Sequence, residues 1–296
     1  MKISYYPGCT LKTKAKNLEV SALACLDALG IEYEELPRWN CCGAVYSLAD
    51  DDLIHMIAPV RDLIRVREQG HDTVLTLCSM CYNTLARANE LMKNDEEKRN
   101  TINMFMDEEP DYAGEVRVVH FLDYLRDDYG WDKVKEKVTV PLAGMKTAPY
   151  YGCTLLRPGD VAIDPPDHPT VFQECMETLG AEVVNFPMST QCCGTYQVLG
   201  NPDAALKISY DILRDATGRG AEALVLTCPL CDYNLGRRQD EMMTRYDFST
   251  EVPLFYFTQL MALALGVPAE KCHFELNREI SEGFLKAKNL LVKASA

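Results

Sequence analysis

The chain has 296 residues and a formal net charge of −14, with 30 basic and 44 acidic side chains. This length suits one large domain or two halves of about 150 residues, each able to bury a core. The strong acidity disfavours nonspecific binding to nucleic acid or to anionic lipid. No basic and apolar signal stretch opens the sequence, and its most apolar run, 252–267, is too short to span a bilayer. We therefore expect a soluble, cytoplasmic protein without a membrane span.

Short apolar runs alternate with helical patterns along the first half of the chain. Buried strands are predicted at 3–6, 31–36, 73–77 and 116–119. Helices are predicted between them at 14–29, 51–69 and 82–93. A linker to the second half is expected at 133–145.

The second half repeats this order of elements. Its strands are predicted at 147–151, 183–186, 223–227 and 254–257, and its helices at 169–179, 203–219 and 232–246. The charged tail, 275–293, predicts a surface helix. The alternation predicts an α/β fold of two duplicated, Rossmann-like halves with mostly parallel sheets, related by a pseudo-twofold axis. We assign the halves to 1–140 and 141–296, the second including the C-terminal helix.

Repeated sequence supports this duplication. The letters GCTL occur at 8–11 and again at 152–155. CLDALGIEYEELP, which ends at Pro37, corresponds to CMETLGAEVVNFP, which ends at Pro187. The second copy carries an additional proline-rich loop between 157 and 169.

Ten of the thirteen cysteines form one pattern that occurs twice. The first copy, C-x31-CCG-x34-CxxC, comprises Cys9, Cys41, Cys42, Cys78 and Cys81. The second, C-x38-CCG-x33-CxxC, comprises Cys153, Cys192, Cys193, Cys228 and Cys231. Each group follows a predicted strand, and open α/β sheets bind ligands at the carboxyl ends of their strands. We therefore expect the groups of each half to converge on one site, with Gly43 and Gly194 permitting the turn that directs two adjacent thiols to it.

Five thiols per copy favour iron–sulfur chemistry over other uses of cysteine. A secreted disulfide scaffold does not fit a long chain with an odd cysteine count and no signal stretch. Structural zinc leaves one thiol unused, and a thioredoxin-like CxxC leaves the other thiols unexplained. An iron–sulfur cluster uses all five if it opens beyond a cube. The ferredoxin run CxxCxxCxxxCP is absent, so a partner must supply any cubane relay.

Four further residues carry weaker signals. The cysteines outside the pattern, Cys25, Cys175 and Cys272, are expected to be small buried hydrophobic residues. His120 is a weak candidate proton donor, because a lone histidine at a strand end more often has a structural role.

The doubled cysteine signature resembles the B subunits of heterodisulfide reductase from methanogenic archaea, which belong to the CCG-domain family. The resemblance runs from YYPGC at 5–9 to LTCPLCDYNL at 226–235. CCG motifs also occur in iron–sulfur subunits of glycolate, lactate and anaerobic glycerol-3-phosphate dehydrogenases and in a thiol-linked fumarate reductase. Those proteins usually carry fused ferredoxin motifs or a degenerate second copy. Both copies are intact here, which favours the heterodisulfide reductase.

The resemblance implies an oxidoreductase that reduces the mixed disulfide of coenzyme M and coenzyme B, CoM-S-S-CoB, to two thiols. Each cysteine set would ligate one of two noncubane [4Fe–4S] clusters. Cys41, Cys42, Cys192 and Cys193 would then be catalytic through the clusters they ligate. The implied partners are a C subunit with two cubane clusters and a flavin-containing A subunit that bifurcates electrons. A hydrogenase or formate dehydrogenase would belong to the larger complex.

Cleavage of a disulfide requires two electrons, and a site on each side of the bond could supply one electron and capture one sulfur. The implied substrate carries sulfonate, carboxylate and phosphate groups, so an acidic chain must offer basic residues locally. We expect these contacts from Lys12, Lys14 and Lys16, which follow Cys9, and from Arg157, which follows Cys153.

Two alternatives of a different kind remain open. The chain could be an electron-transfer iron–sulfur subunit of a flavin-dependent hydroxy-acid or glycerol-3-phosphate dehydrogenase complex. It could also be a zinc-stabilised interaction module. The iron and acid-labile sulfide content separates the second alternative from the others.

Overall fold

The computed structural model describes residues 2–44 and 53–291, which contain eight strands and twelve α-helices. The elements of the first half are β1 (Ile3–Tyr6), α1 (Lys16–Leu29), β2 (Tyr33–Glu35), α2 (Ile54–Glu68), β3 (Thr73–Thr76), α3 (Ser79–Asn94), α4 (Glu96–Phe105), β4 (Arg117–His120), α5 (Phe121–Tyr124) and α6 (Trp131–Lys137). Those of the second half are β5 (Lys146–Pro149), α7 (Val171–Thr178), β6 (Glu182–Val183), α8 (Pro202–Gly218), β7 (Ala223–Leu226), α9 (Pro229–Cys231), α10 (Gln239–Arg245), β8 (Leu254–Tyr256), α11 (Phe257–Ala264) and α12 (Glu279–Ala287).

The strands of each half form a four-stranded parallel sheet. The strand orders, β2-β1-β3-β4 and β6-β5-β7-β8, are the same in the two halves. Ser4 pairs with Val74 at the centre of the first sheet, and Ala148 pairs with Leu224 at the equivalent place in the second. Parallel strands of this kind are covered by helices on both faces. The predicted α/β fold with two similar halves is confirmed.

The two halves share one continuous hydrophobic core. Helix α1 packs against α11, and α5 packs against α7, so each half covers a helix of the other. These two contacts are equivalent under the pseudo-twofold axis, because α1 and α7 follow the first strand of each half and α5 and α11 follow the last. The Ser21 and Thr258 hydroxyls hydrogen bond at 2.7 Å inside the α1–α11 contact.

Some predicted elements differ in extent or continuity. The helix predicted at 82–93 begins at Ser79, because the chain enters it directly from the end of β3. The helix predicted at 232–246 is divided by a π-helical turn, Asp232–Arg237, and continues as α10. The start of the helix predicted at 51–69 lies outside the described residues, and the described part is Ile54–Glu68.

Three helices of the first half were not predicted. Helix α4 begins after Asp95, whose side chain accepts a hydrogen bond from the Lys98 N–H at 3.0 Å in the manner of an N-cap. Helix α5 is a single turn that continues into a π-helical turn, and α6 lies partly within the expected linker. The division at residue 140 stays a prediction. Across 2–44 and 53–291, no helix combines the length and the apolar character needed to cross a membrane.

Candidate metal centre

The cysteine groups of the first half converge at the carboxyl edge of the first sheet. The Cys9 and Cys41 sulfur atoms lie 3.4 Å apart, and the Cys42 and Cys81 sulfur atoms lie 3.8 Å apart. Cys78 directly precedes α3, and the nearby thiols of Cys228 and Cys81 lower its pKa. The three cysteine groups, which follow β1, β2 and β3, therefore meet at one edge of the sheet, as the strand order requires.

The second half brings its cysteines together in the same way. The Cys192 thiol lies close enough to Cys153 to raise its pKa, and the Cys192 and Cys231 thiols likewise shift the pKa of Cys193. Cys231 also contacts Cys228, which directly precedes α9. The convergence expected from the position of each group after a strand is present in both halves.

The two cysteine sets meet at the boundary between the halves. The thiols of Cys78 and Cys228 lie close enough across the pseudo-twofold axis for each to shift the pKa of the other. Beside them, the Ser79 and Thr227 hydroxyls hydrogen bond at 2.5 Å, and the Ser79 N–H donates to the Thr227 carbonyl at 3.4 Å. The ten thiols thus form one continuous row, from Cys9 through Cys41, Cys42, Cys81, Cys78, Cys228, Cys231, Cys193 and Cys192 to Cys153.

Contact between thiols in this buried row strongly displaces their pKa values. Contacts with the Cys41 and Cys81 thiols lower the pKa of Cys42 to about 3. Hydrogen bonds from Cys153 and Cys193 lower the pKa of Cys192 to about 2. The pKa of Cys81 is raised well above its usual range by its contacts with the Cys42 and Cys78 thiols and by burial. Adjacent thiols therefore cannot all ionise unless a positive centre neutralises them, and a bound metal provides such a centre.

The spacing of the sulfur pairs in the first half suits thiolates that share one metal. Two thiolates on one tetrahedral metal, each about 2.3 Å from it, lie about 3.7 Å apart. The 3.4 Å and 3.8 Å sulfur–sulfur distances in the first half match this spacing. Among residues 2–44 and 53–291, no three His, Cys, Asp or Glu side chains are arranged to hold a single metal ion.

Glycine allows the backbone to approach the thiols closely. Gly8 has φ +70°, and a Cβ added there would lie 2.9 Å from the Cys81 sulfur. Gly43 and Gly194, each of which follows a cysteine pair, also have positive φ values of +75° and +88°. The turn predicted after each pair is therefore present.

Two tyrosines hold the cysteine pairs in place, and the sequence analysis missed both. The Tyr6 hydroxyl donates to the carbonyl of Asn40, directly before Cys41, at 2.6 Å. The Tyr150 hydroxyl donates to the carbonyl of Gln191, directly before Cys192, at 2.6 Å. Burial raises the pKa of both phenols, so both remain protonated donors. The signal available in the sequence was a tyrosine pair preceding the lone cysteine in each copy.

Polar side chains surround the second set more fully than the first. The Thr195 hydroxyl lies 3.0 Å from the Cys193 sulfur, and the Asn234 amide donates to the same sulfur at 3.5 Å. The corresponding Cys42 has a hydrogen bond from Thr84, and Ala44 occupies the position that corresponds to Thr195. The two sites therefore differ in how many donors reach their central thiol.

The predicted basic contacts occupy different environments. Lys12 forms ion pairs with Glu19 at 2.6 Å and Glu35 at 2.8 Å. The Arg157 guanidinium donates to the Thr190 carbonyl at 2.9 Å. Lys14 and Lys16 are exposed, and neither ammonium group has a partner within the described ranges. All four remain predicted substrate contacts, and Lys14 and Lys16 line an open cleft.

His120 and the remaining cysteines have structural positions. His120 is fully buried, and burial lowers its pKa to about 3. One of its ring nitrogens contacts the Leu77 carbonyl and the other accepts from the Leu122 N–H. Cys25, Cys175 and Cys272 are completely buried, as expected.

The arrangement of the chain matches known proteins along nearly its full length. A family model described as cysteine-rich domain, CCG, matches residues 3–86 and 147–236. The chain is 33% identical to the membrane anchor subunit of the 8-methylmenaquinol:fumarate reductase of Wolinella succinogenes, over 91% of this chain and 94% of that protein. It is 29% identical to the B subunit of the ferredoxin:CoB-CoM heterodisulfide reductase of Methanosarcina mazei, over 93% of each.

A solved structure supports the same fold. The crystal structure of a hypothetical protein from Helicobacter pylori superposes with a TM-score of 0.74 at 13% identity. The match covers 93% of this chain and 51% of the other, so the chain spans about half of that protein. Because the family model matches both cysteine-bearing halves, the chain belongs to the cysteine-rich CCG-domain family.

Proposed function

We propose that this chain is the catalytic subunit of a heterodisulfide reductase, which reduces CoM-S-S-CoB to two thiols. The observation that carries the proposal is the continuous row of ten thiols, in which the two cysteine sets touch at Cys78 and Cys228. The reaction breaks one S–S bond, takes up two electrons and two protons, and releases two thiols. Two sites in contact suit a reaction in which one S–S bond is broken and each site binds one of the two sulfur atoms. Subunits of CoB-CoM heterodisulfide reductases are among the relatives of the chain.

Each cysteine set would hold one noncubane [4Fe–4S] cluster, with Cys41, Cys42, Cys192 and Cys193 nearest to the chemistry. When bound, iron–sulfur clusters supply single electrons and an iron that accepts a thiolate. The protein contributes the position of the ligands: Tyr6 and Tyr150 fix the two cysteine pairs. Burial of Cys42, Cys78 and Cys81 excludes water from one side of the first set, while Cys9 and Cys41 remain exposed on the other.

The proposed function also implies an assembly. We propose partners of the kind the resemblance implies: a C subunit with cubane clusters, and a flavin-containing A subunit fed by a hydrogenase or formate dehydrogenase. The chain would act there as an iron–sulfur oxidoreductase subunit. Its cytoplasmic location and the absence of nucleic-acid partners stay predictions.

A second function is favoured by one observation. The relative at 33% identity is named as a subunit of an 8-methylmenaquinol:fumarate reductase. The chain could therefore pass electrons within a complex whose catalytic site lies on another subunit. This alternative is close to the electron-transfer role considered from the sequence, with a different partner enzyme.

Metal analysis and a disulfide assay on anaerobically purified protein test these proposals together. We expect about eight irons and an equal amount of acid-labile sulfide per chain, if each set holds a four-iron cluster. With reduced methyl viologen as donor, CoM-S-S-CoB should be reduced faster than oxidised glutathione. Zinc in place of iron would instead indicate an interaction module. Iron without disulfide reduction would favour the electron-transfer role.

A further inference from the structure

The duplication creates two equivalent places beside the thiol row, and only one of them is open. Each place lies between the segment after a lone cysteine and the helical turn that carries the CxxC of the other half. In one case the segment is 10–15 and in the other it is 154–170. The second segment contains the proline-rich loop. The two sides of the molecule therefore differ where a substrate would approach.

The proline-rich loop fills the place beside α3. The Asn83 amide donates to the carbonyls of Thr154 and Arg157, each at 2.8 Å. The Tyr82 hydroxyl donates to the Val161 carbonyl at 2.9 Å. A residual space of about 150 Å³ remains there, lined in part by Tyr82, Val161 and Asp160.

On the opposite side, the short segment leaves an open cleft of about 780 Å³. One wall is formed by Thr10 and Thr13, which follow Cys9, and the opposite wall by Leu230, between Cys228 and Cys231. Tyr233, with half of its surface exposed, extends the apolar wall. The open cleft thus begins beside a cysteine of one set and ends beside the CxxC of the other.

The charge of the open cleft is locally positive in a strongly acidic chain. Its two carboxylates are already engaged: Asp232 pairs with Arg237 at 3.2 Å, and Glu275 contacts His273 at 2.6 Å. Lys14 and Lys16 line the cleft, and their ammonium groups have no partner within 2–44 and 53–291. Two free cations beside an apolar wall suit an acidic group carried on an apolar stem.

We propose that the open cleft binds one acidic arm of the substrate, so that the disulfide enters the thiol row from this side only. The acidic group lies against Lys14 and Lys16, and the apolar stem lies against Leu230 and Tyr233. The identity of the bound molecule as an arm of the disulfide rests on the proposed function. The inference that the cleft binds an acidic amphiphile does not depend on the proposed function.

Calorimetric titration of the anaerobically purified, cluster-loaded protein with n-hexyl phosphate tests the site without turnover. We expect the phosphate to bind at least tenfold more tightly than n-hexanol. Lys14→Glu combined with Lys16→Glu should weaken phosphate binding at least tenfold and leave hexanol binding unchanged. The matched control is Lys135→Glu combined with Lys137→Glu, two exposed lysines on α6 with the same spacing, and it should stay within twofold of the wild type.

A kinetic measurement on the same variants links the cleft to the disulfide. Reversal of Lys14 and Lys16 should raise KM for CoM-S-S-CoB and leave kcat within twofold, because binding is lost equally in ground and transition states. No binding of hexyl phosphate to the wild type, or equal binding to the reversed variant, overturns the proposal. Normal phosphate binding in a protein that does not reduce the disulfide supports the acidic site and rejects the proposed function alone.

Discussion

At the scale of single residues, the thiols depend on side chains that are not ligands. Tyr6 and Tyr150 each bond to the carbonyl directly before a cysteine pair, and the buried Asp62 carboxylate also accepts from the Asn40 N–H beside the first pair. The loop must direct two adjacent thiols into the row, so a small displacement affects both. The retention of each cluster should therefore depend on its tyrosine.

Tyr150→Phe should release the second cysteine pair. Removing one hydrogen bond costs about 1 kcal/mol, and the Gln191 carbonyl loses its partner. We expect iron to be lost from the second set with the first set retained, as measured by iron analysis and EPR. The control is Tyr151→Phe, because the Tyr151 hydroxyl accepts from the Phe172 N–H on α7 and does not contact the loop. Equal iron content in the two variants would contradict the role of the Tyr150 hydroxyl in holding the cysteine pair.

Thr195→Val should lower the reduction potential of the second site. Hydrogen bonds to a ligating sulfur stabilise the more negative, reduced state, and Thr195 lies 3.0 Å from the Cys193 sulfur. We expect a shift on the order of tens of millivolts in an EPR-monitored redox titration. Thr217→Val, in which the lost hydroxyl bonded only to carbonyls of α8, is the control. A potential that does not move would remove Thr195 from this role.

At the scale of elements, the pattern of apolar residues predicted the strands well and the helices less completely. Most strands are short apolar runs flanked by turns. The strand predicted as buried at 31–36 is shorter, Tyr33–Glu35, and its side chains are half-buried or exposed because it lies at the edge of the sheet. The π-helical start of the helix predicted at 232–246 could not be predicted, because six residues are too few for their apolar spacing to distinguish a π-helical from an α-helical turn. Convergence of the cysteines followed from the sheet topology. The Cys78–Cys228 contact depends on how the two halves pack, and the hydrogen bonds of Tyr6 and Tyr150 depend on how distant segments meet within each half. No local sequence pattern encodes either.

The Asn83 amide makes two of the hydrogen bonds that hold the proline-rich loop. Asn83→Ala removes two buried hydrogen bonds, to Thr154 and Arg157, and should free the loop at a cost of about 1–3 kcal/mol. Hydrogen–deuterium exchange of residues 154–163 should become faster in this variant. Asn94→Ala, on the exposed end of the same helix, should leave that exchange unchanged. Unaltered exchange in Asn83→Ala would mean that the other contacts of the loop, including the Tyr82 hydrogen bond to Val161, suffice to hold it.

At the scale of the whole molecule, the two cysteine sets are separate in sequence and joined in space. Replacing Cys192 and Cys193 with alanine should remove about half of the iron and leave the EPR signal of the first set. Disulfide reduction should be abolished rather than halved, because each set is expected to handle one sulfur. Loss of all iron with an intact circular dichroism spectrum would indicate one shared site. Retention of half the activity would indicate two independent ones.

The helices that each half buries beneath the other half bear on how this chain arose. Each half buries α1 or α7 beneath a helix of the other half, and each touches its counterpart through Cys78 or Cys228. A single half with this structure would expose an apolar helix face, and two copies would cover it by the same symmetric contact. An ancestral gene of half this length would thus have encoded a homodimer. In that homodimer, the first cysteine of the CxxC motif would have lain beside the same cysteine of the second subunit, on the symmetry axis. Fusion then allowed one copy to acquire the proline-rich loop alone, which a homodimer encoded by one gene cannot do.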